Sequence, residues 1–114
     1  MTECEAGDIV LVRYPFTDLT TDKKRPAVVL SPRAYGDRFG DVVLMPLTSR
    51  IEQEPSLALA QWKASGLLKP TWVKPVIGTL SMQLIERHLG RLTEADEQCI
   101  RAALAIFLAD RWIG

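Results

Sequence analysis

Apolar residues in this chain gather in short β-branched runs and adopt helical spacing only near the C-terminus. Ile9-Val10-Leu11-Val12, following Gly7-Asp8, is too short for a helix and rich in side chains stiff at χ1, so it reads as a first strand ending near Arg13-Tyr14. Pro15 breaks that strand, and residues 15–22 are mostly types that bond their own backbone, which predicts a loop. Pro26-Ala27-Val28-Val29-Leu30-Ser31 is a second strand, residues 32–40 leave room for one short helical turn, and 41–47 form a third strand. Leu57 to Trp62 reads as a further strand and residues 64–70 as a turn. Thr71 to Ile77 is aromatic and β-branched, hence another strand, with Pro75 confining part of it to an edge or bulge. Ser81 caps a helical turn at 82–85, and 86–92 resume a strand in which Gly90 marks a tight bend or a close backbone approach.

The helical segment follows Thr93. That residue supplies an N-cap, Glu94-Ala95-Asp96-Glu97 an acidic first turn suited to the helix dipole, and Ile100, Leu104, Phe107 and Leu108 one apolar face. Several short strands followed by one packing helix predict a mainly β fold, a small, strongly bent barrel with a C-terminal helix set against it.

Composition narrows the partners. The 114 residues suit a single domain, 1–114, and 47% apolar with 25% charged residues are ordinary globular values. Fourteen basic side chains balance fourteen acidic ones, so an all-over basic coat is excluded and any polyanion contact must come from local clustering. Cys4 and Cys99 have neither metal-site nor redox-dithiol spacing and read as reduced thiols. Without an apolar leader or a long apolar run, no membrane association is expected, and the cytoplasm is the expected location.

Two strand ends carry anion-handling chemistry. Lys23-Lys24-Arg25 runs directly into the second strand, and the third ends in Leu47-Thr48-Ser49-Arg50, a hydroxyl pair followed by a guanidinium. Singly, each of these residues reads as solvated surface. Trp62 and Trp72 offer faces on which unpaired bases stack, although core packing accounts for both.

The order of the pieces resembles the MazF/PemK-type toxins of toxin–antitoxin systems. The matching segments are Gly7-Asp8-Ile9-Val10, Pro15-Phe16-Thr17, Arg25-Pro26-Ala27-Val28-Val29-Leu30-Ser31, Leu47-Thr48-Ser49, Gly66-Leu67 and Leu89-Gly90-Arg91-Leu92, in family order over nearly the whole chain. The resemblance implies an SH3-like barrel of the MazF/PemK/CcdB type, a homodimer, a cognate antitoxin, and cleavage of single-stranded RNA at short sequences with no metal or other cofactor. It also implies Arg25 and Thr48 as the catalytic pair. The loop at 15–24, with Phe16, Thr17, Lys23 and Lys24, would border the RNA groove, and Ser49 and Arg50 would be further substrate contacts.

One departure from the family pattern concerns the proton. Many members carry an acidic residue shortly after the strand equivalent to Val73-Lys74-Pro75, where this chain continues Val76-Ile77-Gly78. His88, Asp18 and Asp22 are the remaining candidates for proton transfer. Two noncatalytic alternatives follow from the same barrel: a gyrase-inhibitor-like protein, to which the terminal Arg111-Trp112-Ile113-Gly114 is loosely similar, or a nucleic-acid binder without chemistry.

Overall fold

Six antiparallel strands and two helices make up the computed structural model, which describes residues 3–13, 24–50 and 54–113. In chain order they are β1 (Asp8–Arg13), β2 (Lys24–Val29), α1 (Arg33–Phe39), β3 (Asp41–Thr48), β4 (Trp72–Val73), β5 (Gly78–Ser81), β6 (Ile85–Arg91) and α2 (Glu97–Phe107). The strands lie in the order β4-β3-β2-β1-β6, and β5 pairs with the first half of β3. This is the mainly β fold with a C-terminal helix that the pattern predicts. Among the described residues no helix is long and apolar enough to cross a membrane.

The strands alternate between two cores, as a pleated backbone requires. Ile9, Val28, Met45, Leu47 and Val73 face α2 and the 57–67 segment, burying Leu57, Leu59, Leu67, Cys99 and Ala103. Val10, Val12, Ala27, Val29, Val42 and Leu44 face the other way and pack with Cys4, Leu80 and Ile85. Both cysteines are buried thiols outside any disulfide. Burial pushes each thiol up, as do the nearby carboxylates of Asp8 for Cys4 and Asp96 for Cys99. The protonated Cys99 can thus donate to the Ala58 carbonyl at 3.1 Å.

Several elements depart from the sequence reading. β2 begins at Lys24, two residues before Pro26, so the proline lies inside a strand flanked on both sides. The strand expected at 57–62 is instead a 3-10 turn at Pro55–Leu57, a lone bridge from Ala58 to Trp72, and a turn through residue 66. Its period-2 burial of Leu57 and Leu59 is real, but Asp96 holds the backbone beyond Leu59 in a turn by accepting from the N–H groups of Ala60 (2.9 Å) and Gln61 (2.7 Å). The strand expected at 71–77 stops at Val73. Pro75 has no N–H to donate, and Val76 N–H closes a tight turn on the Lys74 carbonyl at 2.8 Å. The pairing resumes as β5, which the pattern missed because only Leu80 of its four residues is buried.

Ser81 caps its turn as expected, accepting from Gln83 N–H. Thr93 does not cap through its hydroxyl. Asp96 N–H bonds the Thr93 carbonyl at 3.0 Å, a 3-10 turn over Glu94–Asp96 precedes α2, and the buried Thr93 Oγ1 has no partner among the described residues. On α2, Cys99 and Ala103 are the buried positions, with Ile100, Leu104 and Phe107 packed around them.

Gly90 does mark a close approach. A Cβ there would lie 2.0 Å from the Ser65 carbonyl oxygen, and one at Gly66, whose φ is +94°, would lie 2.3 Å from the Leu89 carbonyl oxygen. Two backbones therefore touch directly, fixing the 60–66 turn against β6.

Two stability predictions follow from these contacts. Gly90→Ala should destabilise by ~3 kcal/mol or more, since backbone rather than a flexible side chain must move, whereas Gly40→Ala, at φ +71° with nothing within 4 Å, should cost only the left-handed strain of ~1–2 kcal/mol. Urea denaturation of both variants checks the order. Asp96→Asn should cost ~1–3 kcal/mol, because an amide accepts one of the two N–H groups and turns its own NH2 on the other. Faster hydrogen exchange at the amides of residues 60 and 61 is the local readout.

Candidate functional site

The candidate site begins where one ladder of the sheet ends. β2 and β3 pair through Val29↔Leu44, Val28↔Met45 and Ala27↔Pro46, and Leu30 N–H bonds the Val43 carbonyl at 2.8 Å. Antiparallel bonding alternates, so the next bonded pair would be Pro26 with Leu47, where the proline has no N–H to give. Beyond this point Leu47 and Thr48 keep only the pairing on the opposite edge of β3, with Val73 and Trp72 of β4, while β2 stays with β1 down to Arg13↔Lys24. A groove of about 650 Å³ lies between the parted strand ends.

Leu11, Pro26, Leu47 and Leu89 give the groove its apolar lining. One wall is the segment Gly66-Leu67-Leu68-Lys69, held from behind by the Asp96 carboxylate, by the Gly66–Leu89 contact and by Leu67 N–H on the Trp62 carbonyl at 3.1 Å. Beside the hydroxyls of Thr48, Ser49 and Thr71, the lining carries cations. Lys24, Arg25, Arg50, Lys69, Lys74 and Arg87 come from five separate stretches of chain, and no carboxylate stands among the described lining residues. A chain with no net charge has thus concentrated one sign of charge in a single concavity, which focuses an attractive field on an anion.

Extending the β2–β3 register by two positions sets Arg25 opposite Thr48, and both are half-buried in the groove lining. Thr48 Oγ1 accepts the Arg50 N–H at 3.1 Å, which fixes the Thr48-Ser49-Arg50 turn. The hydroxyl hydrogen has no acceptor among the described residues and is available to a ligand. Ser49 and Arg50 line the same edge, exposed. Lys24 lines the groove as well, with its amine 3.9 Å from Glu86, which also faces Arg13 at 3.4 Å; these exposed pairs are weak and leave Lys24 able to move. Phe16, Thr17 and Lys23, and the candidate carboxylates Asp18 and Asp22, lie outside the described residues.

His88 is not brought to the groove. Its neighbours Arg87 and Leu89 line it, but His88 pairs with Val10 across β1 and sets Nε2 3.5 Å from the Asp8 carboxylate. Asp8 is nearly buried and also takes Arg91 Nη1 at 2.5 Å and Glu5 N–H at 2.9 Å, so this cluster ties the N-terminal segment to β6. Trp62 packs on the α2-side core and Trp72 pairs with Thr48 in the sheet, and neither lines the groove. Sequence reasoning missed Lys69, Lys74 and Arg87, each a lone cation in its own segment; their common signal is the topology that gathers them.

Comparison with solved structures finds the same architecture. A mycobacterial endoribonuclease in complex with its cognate antitoxin aligns with TM-score 0.68 and 25% identity over 93% of both chains. MazF from Deinococcus radiodurans aligns with TM-score 0.75 and 23% identity over 95% of this chain and 98% of that one. The Mycobacterium tuberculosis toxin MazF-mt6 aligns with TM-score 0.70 and 19% identity over 87% of this chain and 93% of the other. No curated protein matches the sequence. A family model, that of the PemK-like, MazF-like toxins, matches residues 5–108. With nearly the whole described chain inside that match, the protein belongs to the PemK-like, MazF-like toxins of type II toxin–antitoxin systems.

Proposed function

We propose that the protein is a sequence-specific endoribonuclease that binds single-stranded RNA in the cationic groove and cleaves it without a metal. The observation that carries this reading is the lining of six cations, with no carboxylate among its described residues, around an Arg25–Thr48 pair at two strand ends. Such a lining attracts phosphates and repels divalent cations. In the proposed reaction the ribose 2′-oxygen bonds to the adjacent phosphorus and the bond to the 5′-oxygen breaks. A 2′,3′-cyclic phosphate and a 5′-hydroxyl result. Charge builds on the nonbridging oxygens, and Arg25, a planar donor that stays protonated, is the group to meet it. Thr48 donates its hydroxyl to one of those oxygens and holds the phosphate in line, while Lys69, Lys74, Arg50 and Arg87 place the flanking phosphates.

The 2′-hydroxyl proton needs an acceptor, and the 5′-oxygen needs a donor. His88 is engaged with Asp8 away from the groove, and Val76 occupies the turn after β4, where the family resemblance implies an acid. The remaining candidates, Asp18 and Asp22, lie outside the described residues. The same absence favours a second reading, RNA binding without cleavage.

A homodimer and a cognate antitoxin complete the proposal, with the protein acting where cytoplasmic RNA is available. Complexes with antitoxin are known for the similar mycobacterial endoribonuclease and for Deinococcus radiodurans MazF. Phe39, Ile77, Leu84, Ile106 and Trp112, large apolar side chains exposed outside the groove, offer surface for protein contacts.

Incubation of a long single-stranded RNA with the purified protein in EDTA should give cuts at a short recurring sequence with cyclic-phosphate ends. Arg25→Ala should lower the rate roughly a hundred- to a thousandfold, the usual effect of losing one preorganised donor, with a smaller loss for Thr48→Ala. RNA retained but uncut would establish the binding reading, and intact RNA with inhibited gyrase supercoiling the gyrase reading. Affinity for an uncleavable strand should fall steeply with salt, and Lys69→Gln or Lys74→Gln should each flatten the log–log slope by ~0.7.

A further inference from the structure

The groove wall holds one residue that neither the fold nor the phosphate chemistry uses. Leu68 is 95% exposed, the most exposed of the large apolar side chains among the described residues, while its neighbour Leu67 is buried in the α2-side core. A single exposed leucine is unremarkable on a protein surface. Leu68 differs in being clamped from both sides. Before it, Gly66 is pinned in a left-handed conformation against Leu89, and Ser65 is fully buried with its hydroxyl on the Gln61 carbonyl at 2.9 Å. After it, the Lys69 carbonyl accepts the buried Thr71 hydroxyl at 2.8 Å, and Pro70 fixes the backbone between. The chain thus holds an apolar side chain outward, in a groove whose charged lining is cationic among the described residues.

We propose that Leu68 is a specificity-determining contact, packing against the face of one unstacked base while Lys69 beside it holds the adjoining phosphate. This inference rests on the RNA reading above and names what that site recognises. Single-stranded RNA repeats an apolar base face and a phosphate at every nucleotide, and Leu68-Lys69 repeats the complementary pair, apolar then cationic. A second protein seated on Leu68 would have to desolvate the surrounding cations against an apolar surface, which the lining disfavours. Leucine is also a side chain that nucleic-acid binders insert against unstacked bases. Its pocket-free, rigid presentation discriminates by the size and shape of the base face rather than by hydrogen bonds.

The test compares the wild type with Leu68→Ala, Leu68→Gln and Leu68→Met, none of which disturbs a buried contact. Two readouts are taken: the map of cleavage ends on one long RNA, and affinities for 2′-O-methyl homopolymers of each base, which cannot be cut. The expected result for Leu68→Ala and Leu68→Gln is relaxed base preference at one position of the cleavage sequence and roughly tenfold weaker binding of the preferred homopolymer, with Leu68→Met close to wild type. Unchanged cleavage sites together with affinities within about twofold of wild type would overturn the proposal. So would a changed sedimentation mass with base preference intact, which would make Leu68 a protein-contact residue. Wild type that binds the homopolymers with distinct affinities but cuts nothing removes the nuclease reading alone, and the affinities of the variants then decide the inference. Wild type that binds no homopolymer overturns both.

Discussion

The missing N–H of Pro26 is the constraint around which the site is arranged. Inside a sheet a proline is ordinarily a defect, since it deletes one donor from a ladder. Here the deletion falls where the β2–β3 ladder ends, so Leu47 and Thr48 keep only their pairing with Val73 and Trp72 of β4 on the opposite edge of β3. β2 keeps its pairing with β1 through Lys24, which means that its end is supported even though its other side is open. The result is a concavity whose edges are strand ends and therefore rigid. A guanidinium and a hydroxyl placed on such edges are held at a fixed separation without any loop having to order on binding, which is the preorganisation that stabilising a developing charge requires.

Charge follows the same division of labour. Among the described residues three carboxylates near the sheet are committed to other partners: Asp8 to Arg91, His88 and the Glu5 amide, Asp96 to the amides of Ala60 and Gln61, and Glu86 to Arg13 and, at 3.9 Å, to Lys24. Asp96 matters most, because its two hydrogen bonds set the turn whose far end forms the groove wall. A carboxylate buried to 2% exposure and charge-paired with backbone donors is a structural element, and it positions Lys69 without approaching the ligand. The neutrality of the whole chain thus conceals a local field of one sign.

Much of this was legible in the sequence, and the remainder was hidden for identifiable reasons. β1, β2 and β3 were visible because β-branched runs buried on both faces leave continuous apolar strings, whereas β6 has only Ile85 of its seven residues buried and carries no such string. The segment at 57–62 was misread because alternation of Leu57 and Leu59 reports burial, and burial alone does not distinguish a strand from an irregular segment held by a carboxylate 35 residues away. β5 escaped because one buried residue in four gives no period. Arg25 and Thr48 were accessible through motif order and, independently, through their places at two strand ends. Lys69, Lys74 and Arg87 were not, since each is a lone cation in its own segment. Only the three-dimensional convergence of β6, the 66–69 wall and the chain after β4 makes them a group.

β6 shows how finely that convergence is set. Its pairing with β1 skips Leu89 and Glu86, two irregularities that leave Arg87 opposite Leu11 and His88 opposite Val10. Leu11 faces the groove and Val10 the opposite core, so the register sends the guanidinium to the ligand side and the imidazole to Asp8. A shift of one residue would reverse the two and bring the chain's one imidazole into the groove. Gly90 opposes that shift, because its contact with the Ser65 carbonyl admits no side chain and neither Leu89 nor Arg91 could take its place. The glycine that secures the wall therefore also decides which side chain of β6 faces the groove, Arg87 rather than His88.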